Sequence, residues 1–202
     1  MVTPTVALAT EDELSERVGE RLLGKVGLSV DLRLRKNGFG YLKTNVKKFR
    51  TLAMQQPVLL LTDLDQTPCP SELLHRWLGR GERPENLVFR VVVREIEAWL
   101  LADRKAMTEL LGDGAARRLP DRPEMVPDAK RILLDLARRA PRDVREQLVQ
   151  PKGAIASQGL GYNSLLGKWV MTDWCPERAA SNAPSLARAR DALQRLAHRL
   201  TT

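Results

Sequence analysis

The segment VLLLTDLD, residues 58–65, limits what this chain can fold into more than any other stretch. Four apolar residues call for burial, yet two aspartates, Asp63 and Asp65, follow almost at once. A buried strand can end this way in a parallel α/β sheet, where ligands bind outside the carboxyl ends of the strands and charges that would be ruinous in mid-strand sit at the rim. The neighbouring segments point to the same architecture. Residues 6–9 form a second short apolar run, and the TEDE after it has the Thr10–Glu13 spacing of a capping box that opens a helix to about Leu23. In SVDLRLR the residues Val30, Leu32 and Leu34 alternate with charged ones, the period of a strand with one wet face. Leu42, Val46, Phe49 and Leu52 return to helical spacing, and a helix over 71–78 separates the 58–62 strand from LVFRVVV at 87–93.

Strands separated by helices imply parallel pairing through crossover connections, so residues 1–103 are expected to form an α/β domain with a mostly parallel sheet flanked by helices. REIEAWLLAD continues as a helix in which Ile96, Trp99, Leu100 and Asp103 share a face. Beyond it the periodicity is helical, around 105–111, 129–139, 163–174 and 185–200, with Ser185 placed to cap the last helix. Residues 104–202 therefore read as a helical C-terminal region, its connectors marked by the Pro- and Gly-rich LPDRPEMVPD and PKGAIASQGLGYN.

Composition narrows the chemistry. With two histidines and two widely separated cysteines, Cys69 and Cys175, the chain has no zinc-ligand spacing and fits a reducing compartment. No stretch reaches the roughly 18 apolar residues of a membrane span and the N-terminus lacks a signal-peptide pattern, so a cytoplasmic protein with no membrane partner is expected. Thirty-three Lys and Arg against twenty-five Asp and Glu give a net charge of +8, which favours a polyanion such as nucleic acid. The basic residues concentrate between Ser29 and Arg50, where Arg35, Lys36, Lys43, Lys47 and Lys48 are the candidate phosphate contacts, with Phe39 and Tyr41 interleaved. Lys43, next to the flexible NGFG, is the best placed of them. The four tryptophans, Trp77, Trp99, Trp169 and Trp174, read as core anchors.

Asp63 and Asp65 are two residues apart, so on an extended backbone both carboxylates project to one side and can share a hard cation, Mg²⁺ or Mn²⁺. Turn or helix capping by either aspartate is the plainer reading. Glu95 and Glu97 follow another strand, where they face together if extended and diverge if helical; Glu95 is the stronger candidate to join the acids, and both also suit the first turn of a helix.

LLLTDLDQT resembles the first motif of the haloacid-dehalogenase-like phosphatases, which implies Asp63 as nucleophile and Asp65 as general acid and base. The chain lacks that family's late DD or GDxxxD motif, and a strand–helix–strand–helix block precedes its aspartates, so this stays a minor alternative. A broader resemblance runs through TEDELSERVGERLL, GFGYLK, VLLLTDLDQ, FRVVVREIEAWLLAD and, more loosely, GYNSLLGKWV and APSLARARDAL. These segments resemble the Toprim-like proteins encoded beside ATPases in bacterial defence-type gene neighbourhoods. That resemblance implies a Toprim-like sheet, a Mg²⁺-dependent nuclease or phosphoryl-transfer activity on nucleic acid, an ATPase partner, and a metal held by Asp63, Asp65 and Glu11, with Glu95 as an auxiliary acid. Lys152 and Tyr162 lie in the loop before the helix around 163–174, and only the family resemblance makes them candidates for the site. One position departs: in VALATE, Ala7 stands where the family's VEGxTE pattern has its glutamate, and Glu11 matches only the last acid of the motif. Either Glu11 takes over the missing role, or the metal site is degenerate and the chain is a non-catalytic subunit that binds nucleic acid or a partner.

Overall fold

The computed structural model describes residues 3–35, 40–79, 83–150, 154 and 158–202. Two compact units divide the chain: residues 1–93 with 188–202, and residues 94–187.

The first unit is built on a four-stranded, all-parallel sheet in the order β2-β1-β3-β4. Its strands are β1 (Thr5–Thr10), β2 (Ser29–Arg35), β3 (Val58–Asp63) and β4 (Leu87–Val92), and its crossover helices are α1 (Glu13–Lys25), α2 (Tyr41–Leu52) and α3 (Pro70–Leu78). β1 and β3 are central and buried along almost their whole length, in keeping with their unbroken apolar runs, whereas β2 is an edge strand that leaves Leu32 exposed. One face of the sheet packs Ala7, Ala9, Val58, Leu60, Leu87 and Phe89 against Leu42, Val46 and Phe49 of α2 and Leu73 of α3. α1 packs on β1, β2 and β3. Its approach to β1 is close: a Cβ on Gly19 would stand 2.7 Å from Leu8 Cδ1 and would force that side chain to shift. The Thr10–Glu13 capping box does not form. Asp12 caps α1 instead, accepting from Ser15 N at 2.7 Å, while Thr10 is buried and donates to Asp12 O.

The second unit is helical: α4 (Ile96–Ala102), α5 (Arg104–Leu111), α6 (Asp113–Ala116), α7 (Ala129–Ala137), α8 (Arg142–Leu148), α9 (Tyr162–Thr172), α10 (Pro176–Ala180) and the first turn of α11 (Pro184–Thr201), whose remainder belongs to the first unit. Of these, α6, α8 and α10 have no counterpart in the sequence pattern. They are 4, 7 and 5 residues long, too short to display a period. Gly159 sits against the end of α8, where a Cβ would fall 2.2 Å from Gln147 O.

Buried polar groups hold this unit together. Asp103, expected on the apolar face of α4, instead ends that helix and caps α5. It is fully buried and accepts from Ala106 N and Cys175 N, and from Arg178 through two parallel bonds of 2.8 and 2.7 Å. Ser185 is not a cap, because it lies inside α11. Its N–H and hydroxyl both donate to Glu124, while its oxygen accepts from Trp99 Nε1 at 2.8 Å. Trp99, Trp169 and Trp174 are buried, as expected of anchors. Among the described residues, no helix is long and apolar enough to cross a membrane.

Asp103→Ala removes the acceptor for two backbone N–H groups and one guanidinium. It should cost about 3–5 kcal/mol in urea unfolding, against about 1 kcal/mol for a surface charge change such as Arg142→Ala. Equal costs would show that the Asp103 network carries no special weight.

Candidate active site at the sheet rim

β1 connects to β2 on one side and the chain then crosses to place β3 on the other side of β1, so the strand order reverses between β1 and β3. Splayed connections at such a switch point leave a crevice outside the carboxyl ends of the two strands. Glu11 follows β1 directly, Asp63 ends β3, and Asp65 lies two residues on. All three line one cavity of about 580 Å³, together with Thr62, Gly40 and Lys43.

The acids are held by different means. Glu11 is half-buried. Its carboxylate accepts from the Thr62 hydroxyl, on a side chain buried at the end of β3, and from the backbone N–H of Asp63. Burial pushes the Glu11 pKa up and the charges of Asp65 and Asp12 add to this, while the Thr62 and Asp63 bonds work against it. The backbone does not stay extended through DLD. Leu64 turns into the core and donates its N–H to Val92 O at 2.9 Å, a turn closes from Thr67 N to Leu64 O, and Asp65 takes a left-handed conformation with φ 48°. Asp65 therefore reaches the cavity from a turn at its mouth rather than by strand alternation. The surrounding protein still desolvates its carboxyl enough to raise its pKa.

Three helices begin at this end of the sheet, so their N-terminal dipoles face the region where the acids gather. α2 starts from Gly40, whose φ of 93° suits glycine, and Lys43 lies in its first turn with the side chain exposed at the cavity. Sequence reasoning missed Thr62, Arg76 and Trp77. Trp77 is half-buried against Phe89, with ring centroids 5.6 Å apart, and lines the cavity beside Arg76 instead of serving only the core. Thr62 had one legible signal, a polar residue inside an otherwise apolar strand.

The remaining candidates lie elsewhere. Arg35 pairs with Glu16 at 3.1 Å, Lys47 lines a separate surface cavity with Arg50 and Met54, and Lys48 is exposed on α2. Lys36, Phe39 and Lys152 lie outside the described residues. Glu95 belongs to the second unit, where it precedes α4 and accepts from Lys130 N at the start of α7, 2.9 Å away. Glu97 is buried in the first turn of α4 and accepts from Tyr162 Oη at 2.7 Å, and Lys130 Nζ lies 5.1 Å from the Tyr162 ring centroid. Burial raises the Glu97 pKa, with the Tyr162 bond and Lys130 opposing it.

Among the described residues, no three His, Cys, Asp or Glu side chains form a group that could hold a metal ion as they stand. Comparison with known proteins returns no matching family model, curated protein or solved structure.

Two outcomes test these electrostatics. In EDTA, Thr62→Val should move the Glu11 pKa further up and Asp65→Asn should bring it down, as read by carboxyl ¹³C chemical shift against pH; shifts of the same sign would contradict the assignment. Glu97 titrates higher in the folded chain than in the unfolded one, so its contribution to stability is complete below the ordinary glutamate value of 4.5 and is lost as pH rises through the folded value. Glu97→Gln, which keeps an acceptor for Tyr162, should therefore gain melting temperature relative to wild type at pH 8 compared with pH 4. A difference independent of pH would refute this.

Proposed function

We propose that this chain is a Toprim-like, Mg²⁺- or Mn²⁺-dependent nuclease or phosphoryl-transfer subunit that acts on nucleic acid, with an ATPase as its partner in a bacterial defence system. The observation that carries the reading is the meeting of Glu11, Asp63 and Asp65 in one cavity at the switch point between β1 and β3, with Lys43 beside them.

The donor chemistry suits the ion. Mg²⁺ takes oxygen ligands, keeps several waters, and is commonly bound by one or two carboxylates plus substrate phosphate rather than by a complete protein cage. Asp63 and Asp65 would hold it, with Glu11 as the third acid. When bound, the cation supplies charge neutralisation at the phosphodiester and a more acidic water. The protein's own groups do the rest. Lys43 offers a positive charge to a non-bridging phosphate oxygen at the cavity wall. Glu11, its pKa raised by burial and by Asp65, is suited to accept and return a proton. Thr62 fixes the orientation of that carboxylate.

A second reading, a non-catalytic binding subunit with a degenerate site, draws support from Ala7 at the position of the family glutamate and from the lack of a three-ligand group among the described residues. One experiment separates the two. Mg²⁺ or Mn²⁺ should raise the melting temperature of wild type and not of Asp63→Ala/Asp65→Ala, and only wild type should cleave labelled DNA or RNA. Equal thermal responses with no cleavage by either protein would favour the binding subunit.

A further inference from the structure

β4 carries one charged residue, Arg90, which shares a face with the buried Val88 and Val92. Arg90 is half-buried, and its Nε has no hydrogen-bond partner among the described residues. Burial, followed by the charges of Arg83, Arg195 and Arg188, holds its guanidinium below the ordinary arginine range, and Asp191 is the acid that opposes them. Arg188, Asp191, Arg195, His198 and Arg199 are exposed along α11, and the last four, with Gln194, line a cavity of about 520 Å³. Arg199 Nη2 donates to Glu85 O at 3.0 Å, tying the end of α11 to the turn before β4.

Elsewhere on the protein, several surface arginines are paired with acids: Arg17 and Arg33 share Glu20, Arg76 meets Glu72, and Arg142 meets Glu146. Among the described residues, none of Arg83, Arg90, Arg188, Arg195 and Arg199 is in a salt bridge with a carboxylate. A fold that concentrates guanidinium groups and leaves them uncompensated gains from an anion that brings the missing charge.

The spacing is compatible with a phosphodiester strand. At ~1.5 Å of helix rise per residue, Arg188, Arg195 and Arg199 are separated by about 10 and 6 Å along α11. These intervals correspond to roughly three and two nucleotides of a strand at ~3.4 Å each. The stripe also lacks what an acidic protein would need. Among the described residues, the exposed large apolar ones are Leu32, Met54, Met125, Leu160 and Met171, none of them on α11, whereas protein interfaces are centred on apolar and aromatic groups.

We propose that β4 and the Arg188–Thr202 segment form a phosphodiester-binding track, distinct from the carboxylate rim, that grips the backbone of a nucleic acid through Arg90, Arg188, Arg195 and Arg199. The inference rests on the functional reading above only for the kind of ligand, and it does not need the rim to be catalytic.

The test uses the full chain in EDTA with fluorescein-labelled 30-nucleotide DNA, single-stranded and duplex, followed by anisotropy across a KCl series. Arg188→Gln/Arg195→Gln replaces two exposed side chains and should weaken binding about tenfold or more near 0.1 M salt. It should also reduce the salt slope by roughly 1.4 for single strands and 1.8 for duplex. Arg117→Gln/Arg118→Gln removes the same charge from exposed positions of the second unit and should change affinity less than about threefold. Equal losses in the two double variants, no loss in the first, or arginine-dependent binding of a polyglutamate peptide in preference to DNA would each overturn the track. If wild type binds through the arginines but never cleaves with Mg²⁺ or Mn²⁺, the catalytic reading fails and the track stands.

Discussion

The reversal of strand order between β1 and β3 governs the rest of the first unit. It places the ends of the two most buried strands side by side, with helices leaving in different directions, so that a crevice opens where the sheet would otherwise be covered. Glu11 and Thr62, 51 residues apart, meet there together with Asp63 without any local sequence relation. The apolar body of each strand is anchored in the core, so the charged tips inherit a fixed position. That rigidity is what a site for a small hard ion and a phosphate requires.

The second unit solves a different problem. Its helices α4, α5 and α10 are 5 to 8 residues long and would be marginal alone, so their ends need partners beyond the helix. Asp103 supplies them at the starts of α5 and α10, taking donors from Ala106, Cys175 and Arg178, and Glu124 does the same in the first turn of α11 by accepting from the N–H and hydroxyl of Ser185. A paired, hydrogen-bonded carboxylate is tolerated in such surroundings, whereas a single unpaired one would not be. Glu97 lies nearer the limit, with Tyr162 and Lys130 only partly offsetting its desolvation.

Much of this was legible in the sequence because it rests on short-range pattern. The strands of the sheet, the crossover helices and the rim position of Asp63 follow from apolar runs and from where charge interrupts them. What was not legible depends on tertiary contact. Thr10 and Glu13 have capping-box spacing, but Thr10 lies buried at the end of β1 and the cap passes to Asp12. Two-residue spacing suggested that Asp63 and Asp65 would point together, and the turn made by Leu64 changes how Asp65 arrives. Ser185 has cap chemistry, yet it stands in the first turn of α11, where its hydroxyl meets Trp99 and Glu124. Trp77 shows the same limit, since its spacing cannot reveal that one side of the ring faces a cavity.

The turn at Leu64 links hydrophobic packing to chemistry at the mouth of the crevice. Because the leucine side chain is sealed among core residues and its amide is fastened to the neighbouring strand, the aspartate beside it has little freedom to wander. Selection acting on Asp65 must therefore also preserve the uncharged residue beside it. Drift in the interior of this sheet would be felt as a displaced carboxylate at the rim before it was felt as a loss of fold.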